Sequence, residues 1–93
     1  MMSTIPYKLE KIASNELDKE VLRTAMIAEL DAVNLYEQLS AIAKTPLVKK
    51  LFLDIAKEEK THMGEFQTLL LEHDAEQVNE IENAKKEVSD LKK

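Results

Sequence analysis

The chain has no cysteine, no tryptophan, one glycine, two prolines and four aromatic residues in all. Without cysteine there are no disulfides, no thiolate zinc site and no iron–sulfur cluster, which fits a reducing compartment. With so few turn formers and many helix formers, nothing points to a sheet. No apolar run is long enough to span a membrane, and the opening MMSTIPYKLEKI lacks the basic start and apolar stretch of a secretory leader. A cytoplasmic, soluble chain without a membrane partner is expected. Basic residues are in the minority, 13 against 18 acidic, for a net charge of −5. That balance argues against a general affinity for nucleic acid and favours cations as partners.

What is present is helical periodicity in one small, all-α domain of 93 residues, 44% of them apolar. Residues 1–13 read as an N-terminal tail. After Ser14 and Asn15, two candidate N-caps, apolar residues recur at three- and four-residue intervals from Leu17 through Val21, Leu22, Met26, Val33 and Tyr36 to Leu39. A first helix should reach about Ala43. Lys44-Thr45-Pro46 stops it and starts a second, with Thr45 as N-cap and Pro46 in the first turn. The turn is short, so the two helices should form an antiparallel hairpin over 14–73. Gly64 within the second helix suggests a close packing contact. Asp74, with Gln77 three residues on, opens a third helix over 74–93. Its sparse stripe of Val78, Ile81, Val88 and Leu91 suits a peripheral arm.

Polar residues interrupt the apolar faces at three places. Glu59 and His62, in EEKTH, lie in the row Ile55, Glu59, His62, Phe66; Glu29 lies in the row Leu22, Met26, Glu29, Val33, Tyr36. Positions three apart on a helix are about 4.5 Å apart along its axis and about 60° apart around it, so Glu59 and His62 can grip one ion. If the hairpin turns near Thr45, Glu29 lies about 16 residues before the turn and the Glu59/His62 pair about 16 after it, level across the hairpin. Asp31 is nearly level but about 200° around the helix from Glu29, and Glu58 is about 100° from Glu59, so both should be surface residues. Glu37 and Glu65 fail on level, rotation or both. A buried carboxylate needs compensation, and a metal supplies it.

Di-iron carboxylate bundles take one Glu from each of two helices and Glu-x-x-His from each of the other two. This chain has half of that set, so two copies are expected to pair into one four-helix bundle around a shared site. Four carboxylates would balance two divalent ions, with two imidazoles as neutral donors. Ligation by oxygen and nitrogen suits iron or manganese, and zinc can substitute. Tyr36, on the face of Glu29, is either an aromatic core residue or a neighbour outside the ligands.

The runs IAELDAVNLYEQ (27–38), EEKTHMGEF (58–66) and LLLEHDAEQV (69–78) closely resemble the encapsulated ferritins. The resemblance implies a ferroxidase in which Glu29, Glu59 and His62 of two protomers hold two irons. It further implies a ring of such dimers, typically a decamer, working with an encapsulin shell inside a nanocompartment. Asp31 matches an acidic position where metal comes in, whereas Ala28 stands where another such position is acidic and Leu35 where some relatives have Trp. Family members carry a targeting tail or are fused to the shell; this chain ends at SDLKK with neither, which leaves its encapsulation, and whether it is an excerpt of a longer fusion, open. Two other readings stay open: a rubrerythrin-like peroxidase and a redox-silent, metal-stapled assembly module.

Overall fold

The fold is that of a computed structural model, which describes residues 14–93; the tail over 1–13 and the side chains of Ser14 and Asn15 lie outside the described residues. Three helices follow one another: α1 (Ser14–Ile42), α2 (Pro46–His73) and α3 (Ala75–Leu91). No strand occurs among the described residues. The helices α1 and α2 pack side by side as the expected antiparallel hairpin, and α3 meets α2 only near their junction, giving a flat molecule of 47 × 44 × 19 Å.

The turn is built by its residues in a way the sequence states only in part. Thr45 has the extended backbone of an N-cap, but its side chain makes no capping hydrogen bond, so Pro46, whose missing N–H is one fewer orphan donor, carries the restart. A clasp then locks the two helices: Ser40 Oγ donates to the Lys49 carbonyl at 2.8 Å, and Lys49 Nζ donates to the carbonyls of Ser40 and Ala41, each at 3.1 Å. These are terminal carbonyls of α1, which the lysine satisfies while its charge meets the negative end of the helix dipole.

At the far end Asp74 does two jobs. Its Oδ1 accepts from the Gln77 backbone N–H at 3.0 Å, capping α3, and its Oδ2 accepts from Arg23 of α1 at 2.8 Å. The cap hydrogen bond, with the guanidinium adding to it, holds the Asp74 carboxyl below its ordinary value.

The hairpin has little core. Val33, Ala56 and Leu70 are the buried apolar residues among those described, and none of the large side chains is wholly enclosed. Much of what should be core faces outward instead: Val21, Leu35, Leu51 and Leu69 are each about half exposed. A helical pair of this size needs a further layer to bury its second face. The contact expected at Gly64 is not made among the described residues, where an added Cβ would meet nothing within 4 Å. Sequence could register the helical cost of that glycine but not where it faces.

Candidate metal centre

Glu29 comes from the middle of α1, and Glu59 and His62 from the middle of α2. The register set by the turn brings them level, and one ligand atom from each lies within 4.8 Å of the other two. His62 Nδ1 is 3.6 Å from Glu29 Oε2 and 3.5 Å from Glu59 Oε1, too long for a good hydrogen bond and spaced as ligands around a common point would be. The Glu29 and Glu59 side chains are 20% and 18% exposed, whereas His62 is 47% exposed at the rim.

One atom carries the argument for a metal. Glu29 Oε2 is out of contact with solvent and has no hydrogen-bond partner. A carboxylate oxygen in that position costs free energy unless a cation or a proton meets it. Without metal the Glu29 carboxyl is held above its ordinary value, chiefly by the side-chain hydrogen bond with Glu59, then by burial and the charge of Glu59, with His62 opposing. The donor set of two carboxylates and one imidazole suits iron, manganese or zinc.

The sign of that shift fixes a pH dependence. A raised folded pKa means that the Glu29 contribution to stability is fully present below the ordinary carboxylate value and lost as pH rises through the raised one. Glu29→Gln keeps the neutral form at every pH. The metal-free variant is therefore expected to gain stability relative to the parent as pH rises from the acid range towards neutrality, as measured by urea unfolding. Metal affinity of the parent should move the other way and strengthen over the same range, because the proton competes for Glu29.

The polar residues set aside by helical register behave as expected with one exception. Glu58 and Glu65 are exposed, and Glu37 pairs with Lys60 of α2 at 3.2 Å. Asp31, expected at the surface, is buried at 6% exposure. Rotation within one helix does not say how a residue is covered by the rest of the fold. Tyr36 stacks on Phe52, ring centroids 6.0 Å apart and planes 15° from parallel, which matches the aromatic core role. The Arg23–Asp74 tie escaped sequence reasoning: the cap was readable, but the guanidinium reaching it from another helix left no local signal.

Comparison with known proteins identifies the family and the fold. The rubrerythrin family model matches residues 20–93. The crystal structure of an encapsulated ferritin domain from Pyrococcus furiosus superposes with a TM-score of 0.78 at 45% identity, covering 98% of this chain and 87% of that one. The chain belongs to the rubrerythrin family and to the encapsulated ferritins. An encapsulated ferritin is also what the sequence resembles among curated proteins: a ferritin-like-encapsulin shell fusion protein of Pyrococcus furiosus is 48% identical over 86 residues, 92% of this chain. The match spans only 23% of that relative's length. As in the ferritin-like proteins generally, the all-helical frame presents a carboxylate and histidine cluster able to hold iron. Among the described residues, no helix is long and apolar enough to cross a membrane.

Proposed function

We propose that two copies of this chain pair across one open flank of the hairpin, hold two irons between them and oxidise iron(II) to iron(III), in association with an encapsulin shell. The single observation that carries this is the orphaned Glu29 Oε2, set with Glu59 and His62 in a cluster that is closed on the α1–α2 side and open on the other. Helical angles say what lies on the open side. Leu51 and Leu69 fall within about 20° of His62 around α2, and Val21 and Leu35 turn from Glu29 in the sense opposite to Val33, which faces α2. In antiparallel helices equal rotations open to the same side, so these exposed apolar residues lie along one flank above and below the metal cluster, about 9–17 Å from it along the helices, with Leu35 turned furthest from α2. A second copy laid on that flank buries them and brings a second Glu29, Glu59 and His62.

Each bound iron(II) gives up one electron on oxidation, so a pair supplies two to dioxygen. The chain's own residues do the rest. Glu29 and Glu59 supply charge that favours iron(III) over iron(II), His62 contributes a neutral donor at the rim, and the apolar flank excludes water once covered. The redox-silent assembly module offers no reason for a rim ligand as exposed as His62. The rubrerythrin family match supports a second reading, in which the same site reduces peroxide; turnover with peroxide and with dioxygen, compared side by side, separates the two. The shell partner, the nanocompartment and a ring such as a decamer are proposed from the names of the two Pyrococcus furiosus relatives and the family resemblance.

Native mass spectrometry before and after anaerobic addition of iron(II) tests the core of this reading. Even-numbered assemblies carrying two irons per pair of chains are expected to grow at the expense of monomer. A monomer that binds no iron would overturn it.

A further inference from the structure

The chain has four methionines, two of which are Met1 and Met2. The other two, Met26 and Met63, stand beside the metal cluster on opposite helices. Met26 comes one turn before Glu29, and Met63 follows His62 directly and Glu59 by one turn. The clasp at the turn levels them: Met26 lies 14 residues before Ser40, and Met63 lies 14 after Lys49. Both belong to the rows that fill the contact between α1 and α2. Seven residues make two turns less about 20°, so Met26 shares the side of the buried Val33, and Met63 that of the buried Ala56 and Leu70. Unlike those three, the methionines are only half-buried, so a small molecule at the cluster can reach them.

Packing alone asks for an apolar residue at each position, and leucine would fill the same space. Methionine adds a chemistry that leucine lacks. Its thioether is too soft to compete with carboxylate and imidazole for iron, but it takes an oxygen atom from peroxide to become a sulfoxide. With no cysteine present, the methionine thioethers are the only sulfur in the chain.

We propose that Met26 and Met63 are a sacrificial pair that intercepts hydrogen peroxide at the metal cluster before it damages the ligands. The inference rests on the iron oxidation proposed above, in which two electrons from a pair of irons, with two protons, turn dioxygen into hydrogen peroxide. In the step itself a lone pair on sulfur takes one oxygen, the O–O bond breaks, and the hydroxide that leaves is protonated to water. The sulfur loses two electrons and the peroxide gains them, so each methionine removes one peroxide. Two copies sharing a site bring four such thioethers to it. Peroxide removed in this way cannot react with further iron(II) to release hydroxyl radical beside His62 and Tyr36.

Tryptic peptides separate the residues concerned, because Met1 and Met2 fall in 1–8, Met26 in 24–44 and Met63 in 61–85. Iron(II) is turned over under dioxygen with catalase present to destroy whatever peroxide escapes, and the peptides are read by tandem mass spectrometry. Met26 and Met63 are expected to gain about 16 Da at least about tenfold more often than Met1 and Met2. Hydrogen peroxide added to the iron-loaded chain should give the same preference. The zinc-loaded chain should not, because zinc fills the ligands without redox chemistry. With Met26→Leu and Met63→Leu together, iron(II) oxidation should begin at the parent rate and circular dichroism should be unchanged. The added oxygen should then move to His62 and Tyr36, and activity should be lost in fewer turnovers. Equal oxidation of all four methionines, or a preference that zinc preserves, would overturn the inference. Native mass spectrometry and the absorbance of iron(III) keep it apart from the proposed function. A chain that binds no iron overturns both, and iron(III) formation without the methionine preference overturns this inference alone. The preference with added peroxide, but no iron(III) under dioxygen, overturns the ferroxidase reading alone.

Discussion

Glu59→Ala and His62→Ala are each expected to lower the rate of iron(II) oxidation by at least about 100-fold, the upper end of what losing a mere neighbour of a ligand costs. The physical reason is the small size of the half-site. Each chain offers three candidate ligand atoms, so in the proposed shared site a single substitution would remove one and its symmetry mate another, two of six donors together. Glu29→Ala should be as damaging, because Glu29 is the sole ligand from α1 and the group whose orphaned oxygen most needs a cation. Stopped-flow absorbance of iron(III) formation reads the effect, and circular dichroism shows whether the hairpin survives. Glu37→Ala is the control: it is as acidic and lies on the same helix, but pairs with Lys60 outside the cluster, and its rate should be unchanged. Parent-like oxidation in both the Glu59→Ala and His62→Ala proteins would remove the ferroxidase reading.

The second large effect is on stability. A ligand that binds only the folded state stabilises it by about 2.7 kcal/mol at a hundred times its Kd. For a domain of this size each kcal/mol is worth about 4–8 °C, so a metal excess should raise Tm by about 10–20 °C. The hairpin is unusually dependent on this term because its own core is thin, with Val33, Ala56 and Leu70 as its buried apolar residues. If metal acts by pairing protomers, Tm should also climb with protein concentration, which it would not do for a metal bound within a single chain. Leu69→Asp, on the open flank rather than among the ligands, separates the two contributions. That variant should keep the ligands and lose both the concentration dependence and most of the gain in Tm. Differential scanning fluorimetry with manganese or zinc reads all of this without redox chemistry.

Much of the hairpin was legible because its punctuation is strong. Pro46 can begin a helix but not continue one, and Asp74 with Gln77 three residues later marks a start, so the ends of α2 and the start of α3 fell where expected. The cluster was legible for a related reason: Glu29, Glu59 and His62 interrupt stripes that are otherwise apolar, and helical arithmetic alone levels them. What failed to show depended on neighbours distant in sequence. The burial of Asp31 is not written in its position along α1, the surroundings of Gly64 among the described residues depend on which side of α2 it faces, and the Arg23–Asp74 tie depends on a long side chain crossing between helices. The Thr45 side chain, well chosen for a cap, makes no capping bond because cap geometry is decided by rotamer and backbone rather than by residue type.

The clasp between Ser40 and Lys49 sets a length standard for the chemistry. Glu29 lies 11 residues before Ser40, and Glu59 and His62 lie 10 and 13 after Lys49, so each arm measures about 15–20 Å from clasp to ligand. The two arms agree because they are counted from the same fastening. One residue inserted between Ser40 and Glu29, or between Lys49 and Glu59, would shift a ligand by about 1.5 Å along the axis and swing it by about 100°, well beyond the tolerance of a metal site. The stretches from Glu29 to Ser40 and from Lys49 to His62 therefore have a fixed gauge, whereas the turn between Ser40 and Lys49 can change length as surface turns ordinarily do, provided the clasp holds. Before Glu29 and after His62 the helices can lengthen or shorten without detuning the cluster.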